Sequence, residues 1–311
     1  MELLGLLSGL DTYISLSRGG LDTCKQLCVG LYEAGTVNLQ SVCSRFKTGE
    51  FASNTRKVER FFKNKRLNDF EPVRYIIDHL FADDEAVTLA IDRTEWSFGQ
   101  TWHNLLCISV LYGKTAVPLM VFPLERKGSS DCKQRLELLD KVLSVIPIYK
   151  IEALLGDREF IGDVWLQGLK ERHIPFVMRV RNNLTIAKEG FVGTIDALPI
   201  PQQPTFHGNV HIGTGQLQLS TLLSCGELVA VVSYNIKNPL DLYKQRWGIE
   251  TGFKCLKSNG FHLEETHIRH PDRLKMLVQI CALAMTLSFI AVRQNTQKTY
   301  KKKRIPTSFS L

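Results

Sequence analysis

The sequence predicts an α/β protein: a mixed sheet with helices packed against it, a strand-rich insertion, and a helical region ahead of both. Three observations carry that prediction. Residues 1–80 hold short apolar segments at helical period, broken by polar turns. Near residue 86 the pattern changes to apolar runs of strand length, three in a row. Helical and strand segments then alternate, as in crossover units added to hairpin-connected strands.

Each element has its own signal. Residues 56–66 carry six basic residues and one acid, with Phe61 and Phe62 set between the charges. A helix of this kind can turn its aromatics inward and offer cations to phosphates, Arg60 and Lys63 first among them. A solvated face with no partner is the alternative. Gly19-Gly20 reads as a turn. Residues 87–92 alternate and read as a strand that ends at Asp92. Residues 105–111 and 116–122 are two more strands, joined by a hairpin at Tyr112-Gly113-Lys114. Residues 131–145 read as a helix, with Ser129, Ser130 and Asp131 as candidate caps. Residues 151–155 form a short strand ended by Gly156-Asp157. Residues 160–172 are helical and 176–180 a strand. Residues 181–235 mix Gly, Pro and Thr with alternating segments and form the insertion. Helices follow near 240–258 and 272–292, and the basic tail 293–311 is expected to fray.

Composition narrows the classes. The chain has 311 residues, enough to bury a substantial core. With 44% hydrophobic and 23% charged residues it is neither disordered nor fibrous. A net charge of +8 points to a polyanionic partner rather than to any fold. The most apolar stretch, 276–292, is short for a bilayer and flanked by charge, so it reads as a buried core helix, and no membrane is expected. No signal peptide is evident. The eight cysteines are scattered and mostly in apolar settings, which suits a reducing cytoplasmic compartment. Cys24 and Cys28 lack the second pair a zinc site needs. His207 with His211, and His267 with His270, belong to no ligand pattern and read as packing or surface residues.

Three acids stand out. Asp92 closes one predicted strand, and its side chain shares a face with Thr88 and Ala90. Asp157 follows another short strand. If those strands are neighbours, both carboxylates reach one sheet edge, where a helix could add Glu250. Carboxylates gathered this way need a cation to stay ionised, and hard oxygen ligands suit Mg²⁺ or Mn²⁺. Two such ions can clamp the attacking and leaving oxygens of a phosphoryl transfer. On the helix near 240–258, Tyr243, Arg246, Glu250 and Lys257 fall within roughly a 60° arc. A cationic face around one carboxylate suits a phosphodiester, with Arg246 as its bidentate grip. An ordinary Arg246–Glu250 surface pair is the plain alternative.

The segment from Tyr243 to Lys257 resembles the signature of the IS4-type bacterial insertion-sequence transposases: Tyr, two residues, Arg, three residues, Glu, six residues, Lys. Ile91-Asp92-Arg93-Thr94 resembles the first catalytic-aspartate segment of that DDE family, and Gly156-Asp157-Arg158-Glu159-Phe160 its second. The resemblance spans residues 86–292, and the first 80 residues share it only loosely. It implies a ribonuclease-H-like catalytic domain over 86–292, with the insertion at 181–235 and a helical DNA-binding region over 1–80. It implies that Asp92, Asp157 and Glu250 form a triad holding two Mg²⁺ or Mn²⁺ ions, and that Tyr243, Arg246 and Lys257 contact transposon-end phosphates. The implied activity is cut-and-paste transposition, in which water frees a 3′-hydroxyl that later joins target DNA. The implied partners are double-stranded DNA, as inverted-repeat ends and as target, and a second copy in a synaptic homodimer. The implied place is the bacterial cytoplasm, at the nucleoid. Well-studied members carry a tryptophan in the insertion that handles a flipped base on the way through a hairpin. Residues 181–235 hold none, and Trp165 and Trp247 are the nearest. A sequence-nonspecific metal-dependent nuclease and an inactive DNA-binding relic are the alternatives.

Overall fold

A computed structural model describes residues 3–64, 67–125, 127–199, 202–213 and 215–304. The chain forms two compact units, one of residues 1–82 with 256–311 and one of residues 83–255.

The first unit opens with a 3-10 segment (Leu3–Thr12), followed by α1 (Arg18–Ala34), α2 (Leu39–Cys43), α3 (Phe51–Lys63) and α4 (Phe70–Leu80). Ser17 caps α1 by accepting from the Gly20 N–H at 3.3 Å, so Gly19-Gly20 lies in the first helical turn and makes no separate turn. Gly35, at φ +61°, ends the helix in the left-handed conformation that glycine adopts without strain. Along α3, Val58, Phe61 and Phe62 are buried, while Arg56, Arg60 and Lys63 are exposed. Lys65 and Arg66, the end of the basic run, lie outside the described residues.

The second unit is built on one sheet. Its strands are β1 (Val87–Phe98), β2 (Thr101–Tyr112), β3 (Thr115–Pro123), β4 (Ile151–Gly156), β5 (Phe176–Val180), β6 (Thr185–Lys188), β7 (Phe191–Thr194), β8 (Thr205–Ile212), β9 (Gly215–Ser224) and β10 (Glu227–Tyr234). Their order is β3-β2-β1-β4-β5-β10-β9-β8-β6-β7. The first three strands pair antiparallel, whereas β1–β4 and β4–β5 pair parallel. This mixed, ribonuclease-H-like sheet carries α5 (Cys132–Leu143) and α6 (Asp163–Glu171) in its crossovers. A capping box between Asp131 and Gln134 starts α5. The strand-rich insertion continues the same sheet, because β10 pairs with β5.

Two expectations change here. β1 does not end at Asp92 but runs to Phe98, where Gly99, at φ +56°, turns the chain into β2. Parallel pairing with β4 stops at Ile91 and Gly156 and pairing of β2 with β3 stops at Leu105 and Pro123, so from Glu95 on the extension is a ribbon of β1 and β2 alone. The helix expected over 240–258 is two helices, α7 (Pro239–Lys244) and α8 (Trp247–Lys257). They meet at a tight turn in which the Arg246 N–H donates to Tyr243 O at 3.0 Å and the Ile249 N–H to Arg246 O at 2.9 Å. Tyr243 and Glu250 therefore sit on different helices.

Alternation explains what α7 and α8 cover. Ala90, Ala153, Leu155, Val177 and Val231 share one sheet face and form a core cluster with Leu242, Tyr243 and Ile249. An ideal Cβ on Gly248 would stand 3.1 Å from Thr115 O, and on Gly252 2.4 Å from Ala116 O. Glycine at both positions lets α8 lie directly against the start of β3.

The chain then returns to the first unit with α9 (Pro271–Arg304), which packs on α1 and α4. The sequence pattern groups 256–292 with the catalytic segment and predicts fraying over 293–311. The compact division instead pairs α9 with the N-terminal helices, and the helix continues through Arg304, while 305–311, the rest of that tail, lie outside the described residues. Its stretch 271–296 is long and apolar enough to cross a membrane, but 78% of the most apolar window is buried inside the unit. It is the core helix of that unit.

Candidate active site

Asp92, in β1, and Asp157, directly after β4, lie one residue past the last parallel pair of those neighbouring strands, Ile91 with Gly156. Both therefore stand at the carboxyl edge of the parallel strands. Asp92 follows Ala90 in parity, on the face that α7 and α8 cover.

The close approach at that edge depends on Gly156. An ideal Cβ there would lie 2.4 Å from Met178 Sδ and 3.3 Å from Ile91 Cγ2. The turn that follows is held from below. The Phe160 N–H donates to Asp157 O at 2.8 Å, and the buried Phe160 ring lies under the Arg135 guanidinium at 4.9 Å. Arg135 is itself fixed by Ser130 Oγ at 2.8 Å and Ser130 O at 2.7 Å.

Arg246 joins the elements. Its Nη1 donates to Asp92 Oδ2 at 3.1 Å and its Nη2 to Glu250 Oε1 at 2.9 Å. The turn between α7 and α8 aims this guanidinium at the strand edge, so the pair with Glu250 is half of a bridge and not an isolated surface contact. Burial opposes the Arg246 charge, but Tyr243, Asp92, Asp157 and Glu250 around it raise its pKa.

Asp92 shows the strain of the site. Burial pushes its carboxyl up from 3.8 to about 6. The Arg93 N–H, donating to Oδ1 at 2.7 Å, and Arg246 work against that rise, while Asp157 and Glu159 add to it. Asp157 accepts from the Arg158 N–H at 2.7 Å. The Tyr243 hydroxyl is buried without a hydrogen-bond partner of good geometry, and burial raises it to about 12.

The structure thus brings Asp92, Arg246 and Glu250 into direct contact, with Asp157 and Tyr243 beside them. Lys257, at the end of α8, pairs with Glu264 at 3.0 Å. Arg60 and Lys63 are on the exposed face of α3, in the other unit, where Arg60 Nε donates to Arg56 O at 3.3 Å. Among the described residues no three His, Cys, Asp or Glu side chains stand close enough to hold a metal ion as they are. In this arrangement Arg246 is the cation between Asp92 and Glu250.

Sequence reading missed a second ionic group at the same edge. Arg93 Nε donates to both oxygens of Glu159 at 3.2 Å, and its Nη1 reaches Glu95 at 2.5 Å and Asn104 at 3.2 Å. Arg93 and Glu159 each sit within two residues of a singled-out aspartate. That adjacency was the available signal; the pairing of β1 with β4 turns it into a contact.

Fold and site together define a ribonuclease-H-like domain with acidic residues at the carboxyl edge of its parallel strands. Residues 83–287, about two-thirds of the chain, match the family described as the transposase DDE domain, and the chain belongs to that family. Among curated proteins none matches it. Among solved structures, endonuclease V from Bacillus subtilis is similar at 11% identity and TM-score 0.31, over 81% of this chain and 96% of that one. The NurA nuclease from Sulfolobus solfataricus is similar at 10% identity and TM-score 0.28, over 83% and 97%. Argonaute from Marinitoga piezophila, solved with guide RNA and target DNA, is similar at 7% identity and TM-score 0.25, over 73% and 37%.

Proposed function

We propose that the protein is a cut-and-paste DNA transposase of the IS4 type, cleaving DNA at transposon ends and joining the freed 3′-hydroxyl to target DNA. The observation that carries this reading is the Arg246 bridge between Asp92 and Glu250 beside Asp157. Acids from β1, from the turn after β4 and from α8 gather around Arg246 at one sheet edge, at an energetic cost that folding alone does not require.

Hard carboxylate oxygens fit Mg²⁺ or Mn²⁺, and Asp92, Asp157 and Glu250 would hold the ions. Bound there, two ions would supply charge neutralisation at the transferring phosphoryl group and acidify the attacking water. The chain's own part is to gather and orient. Arg246 keeps two carboxylates in register in the free protein and is the group best suited to grip a phosphate bidentately. Tyr243 offers a hydroxyl with unused hydrogen-bonding capacity. Lys257 would exchange Glu264 for a DNA phosphate. Arg60 and Lys63, on the open face of α3, would bind the backbone of the terminal repeat within a DNA-binding region over 1–80. Holding two ends at once calls for a homodimer on DNA, in the cytoplasm at the nucleoid.

The test is cleavage of labelled duplex carrying the inverted repeats that flank the encoding locus, against scrambled repeats, with Mg²⁺. Wild type is run beside Asp92→Asn and Glu250→Gln. Cuts at the repeat ends, abolished in both variants, are the expected result. Cuts indifferent to the repeats would make the protein a general nuclease. Binding without cutting would make it an inactive relic.

A further inference from the structure

Beside Asp157 lies a cavity of about 970 Å³ that the chemistry above does not use. Arg158 and Glu159 line it. Arg181, Asn183 and Thr185, from the start of the insertion, also line it, together with Ser129. Small-ligand sites run to about 1,000 Å³, so the space admits far more than a single anion.

Its charge is positive in effect. The one acid in the wall, Glu159, has both oxygens occupied by Arg93 Nε at 3.2 Å. Arg158 is half-exposed and only loosely drawn to Asp157, at 4.0 Å. Among the described residues the exposed Arg181 guanidinium has no hydrogen-bond or ionic partner.

The corner that displays Arg181 and Asn183 is fixed. The Leu184 N–H donates to Arg181 O at 3.1 Å, and the Asp196 N–H to Asn182 O at 3.0 Å. Asn182 Nδ2 donates to Leu228 O at 3.1 Å, tying the corner to β10. An unpaired arginine on a braced corner, lining the same cavity as a second arginine next to Asp157, gives the space two cations suited to phosphates.

We propose that this cavity binds the sugar-phosphate backbone of the DNA strand next to the scissile phosphate, with Arg181 and Arg158 as its phosphate contacts and Asn183 and Thr185 as neutral hydrogen-bonding partners. The assignment rests on the transposase reading. It gives the first turn of the insertion a positioning role, holding the strand so that its neighbouring phosphate lies at Asp157.

The test is equilibrium binding of the full chain to a fluorescent duplex containing the terminal repeat and its flank. EDTA is present to stop cleavage, and salt runs from about 50 to about 200 mM. Removing one cation from a phosphate lowers the slope of log K against log salt by about 0.9, which corresponds to about fivefold in affinity at 150 mM. Arg181→Gln is expected to show that decrease, Arg181→Lys to restore most of it, and Arg181→Glu to exceed it. Lys150→Gln, at the opposite end of β4 from Asp157, is expected to keep the wild-type slope. The melting temperature of Arg181→Gln should match wild type, because the side chain holds nothing in the free protein. Salt-dependent binding by wild type with an unchanged slope in Arg181→Gln would overturn the cavity and leave the transposase reading standing. An equal decrease in Lys150→Gln would overturn it too, because diffuse charge would then suffice. Failure of wild type to bind the duplex would remove both.

Discussion

Asp92 is an acid that the fold would rather hold protonated. Its carboxyl titrates near 6 when folded, against 3.8 ordinarily, because burial costs more than Arg246 and the Arg93 N–H return. A raised acid stabilises the fold below its ordinary value, and that contribution is lost as pH rises through about 6. The gap is worth at most about 3 kcal/mol. In metal-free buffer Asp92→Asn is therefore expected to gain about 1–2 kcal/mol over wild type at pH 7.5 and nothing at pH 4, in paired urea melts. Parallel pH dependence in the two proteins would show that Asp92 is not the strained group. Tyr243 makes the complementary case. Its buried hydroxyl has no hydrogen-bond partner of good geometry and only a weak interaction with Arg246, so Tyr243→Phe removes a poorly satisfied polar group and leaves the packing. Its stability should match wild type or exceed it by about 1 kcal/mol, while affinity for repeat DNA falls. A loss above about 1.5 kcal/mol in the melt would reveal a structural role for the hydroxyl instead.

Helix α8 reaches the strand edge because it carries no side chain where it meets β3. In an open helix, Gly→Ala gains about 1 kcal/mol in propensity. At Gly252 the new Cβ would press on Ala116 O, part of the strand backbone, at 2.4 Å. Backbone cannot give way as a flexible side chain can, so overpacking of about 1–3 kcal/mol should dominate. Gly252→Ala is expected to be destabilised in urea and to cleave more slowly, since lifting α8 carries Glu250 away from Asp92. Gly248→Ala, with 3.1 Å to Thr115 O, should follow more mildly. A stabilised Gly252→Ala would mean that α8 rides higher above the sheet. These elements also mark what is legible in the sequence. The runs around 105–111, 116–122 and 176–180 are plain because buried strands are apolar throughout. Asp92, Asp157 and Glu250 stand out because their spacing matches a family signature. The extension beyond Asp92 is not visible, since Arg93, Glu95 and Ser97 face outward and the buried side, Thr94, Trp96, His103 and Asn104, is itself mostly polar. The break at Gln245-Arg246 is hidden for another reason: a tight turn between helices keeps nearly helical spacing. Arg93 and Glu159 need the pairing of β1 with β4 before they can be seen as partners.

The chain leaves its first unit at residue 82 and returns at 256, so the helical unit is made from both ends of the sequence. Periodicity alone could not show this, because an apolar helix does not announce which core it fills. Within that unit α9 is the central element. Leu274, Leu277, Val278, Ile280, Leu283 and Leu287 are each at most 2% exposed. Cys28 lies against Ile280 O at 4.0 Å, Asp69 accepts from Lys275 and from Gln279 at 3.0 Å, and Arg293 donates to His79 O at 3.0 Å. Burying a large apolar side chain contributes about 1.5–3 kcal/mol, so six of them amount to about 9–18 kcal/mol as an upper bound. A whole domain is stable by only about 5–15 kcal/mol. Residues 1–82 alone should therefore fail to fold, despite well-formed caps on α1 and α2. Joined through a flexible Gly/Ser linker to residues 256–304, they should regain a cooperative thermal transition by circular dichroism and resist brief proteolysis. A cooperative transition in residues 1–82 alone would refute this account. It would make those helices a self-sufficient module, and α9 an element added to a core that was already complete.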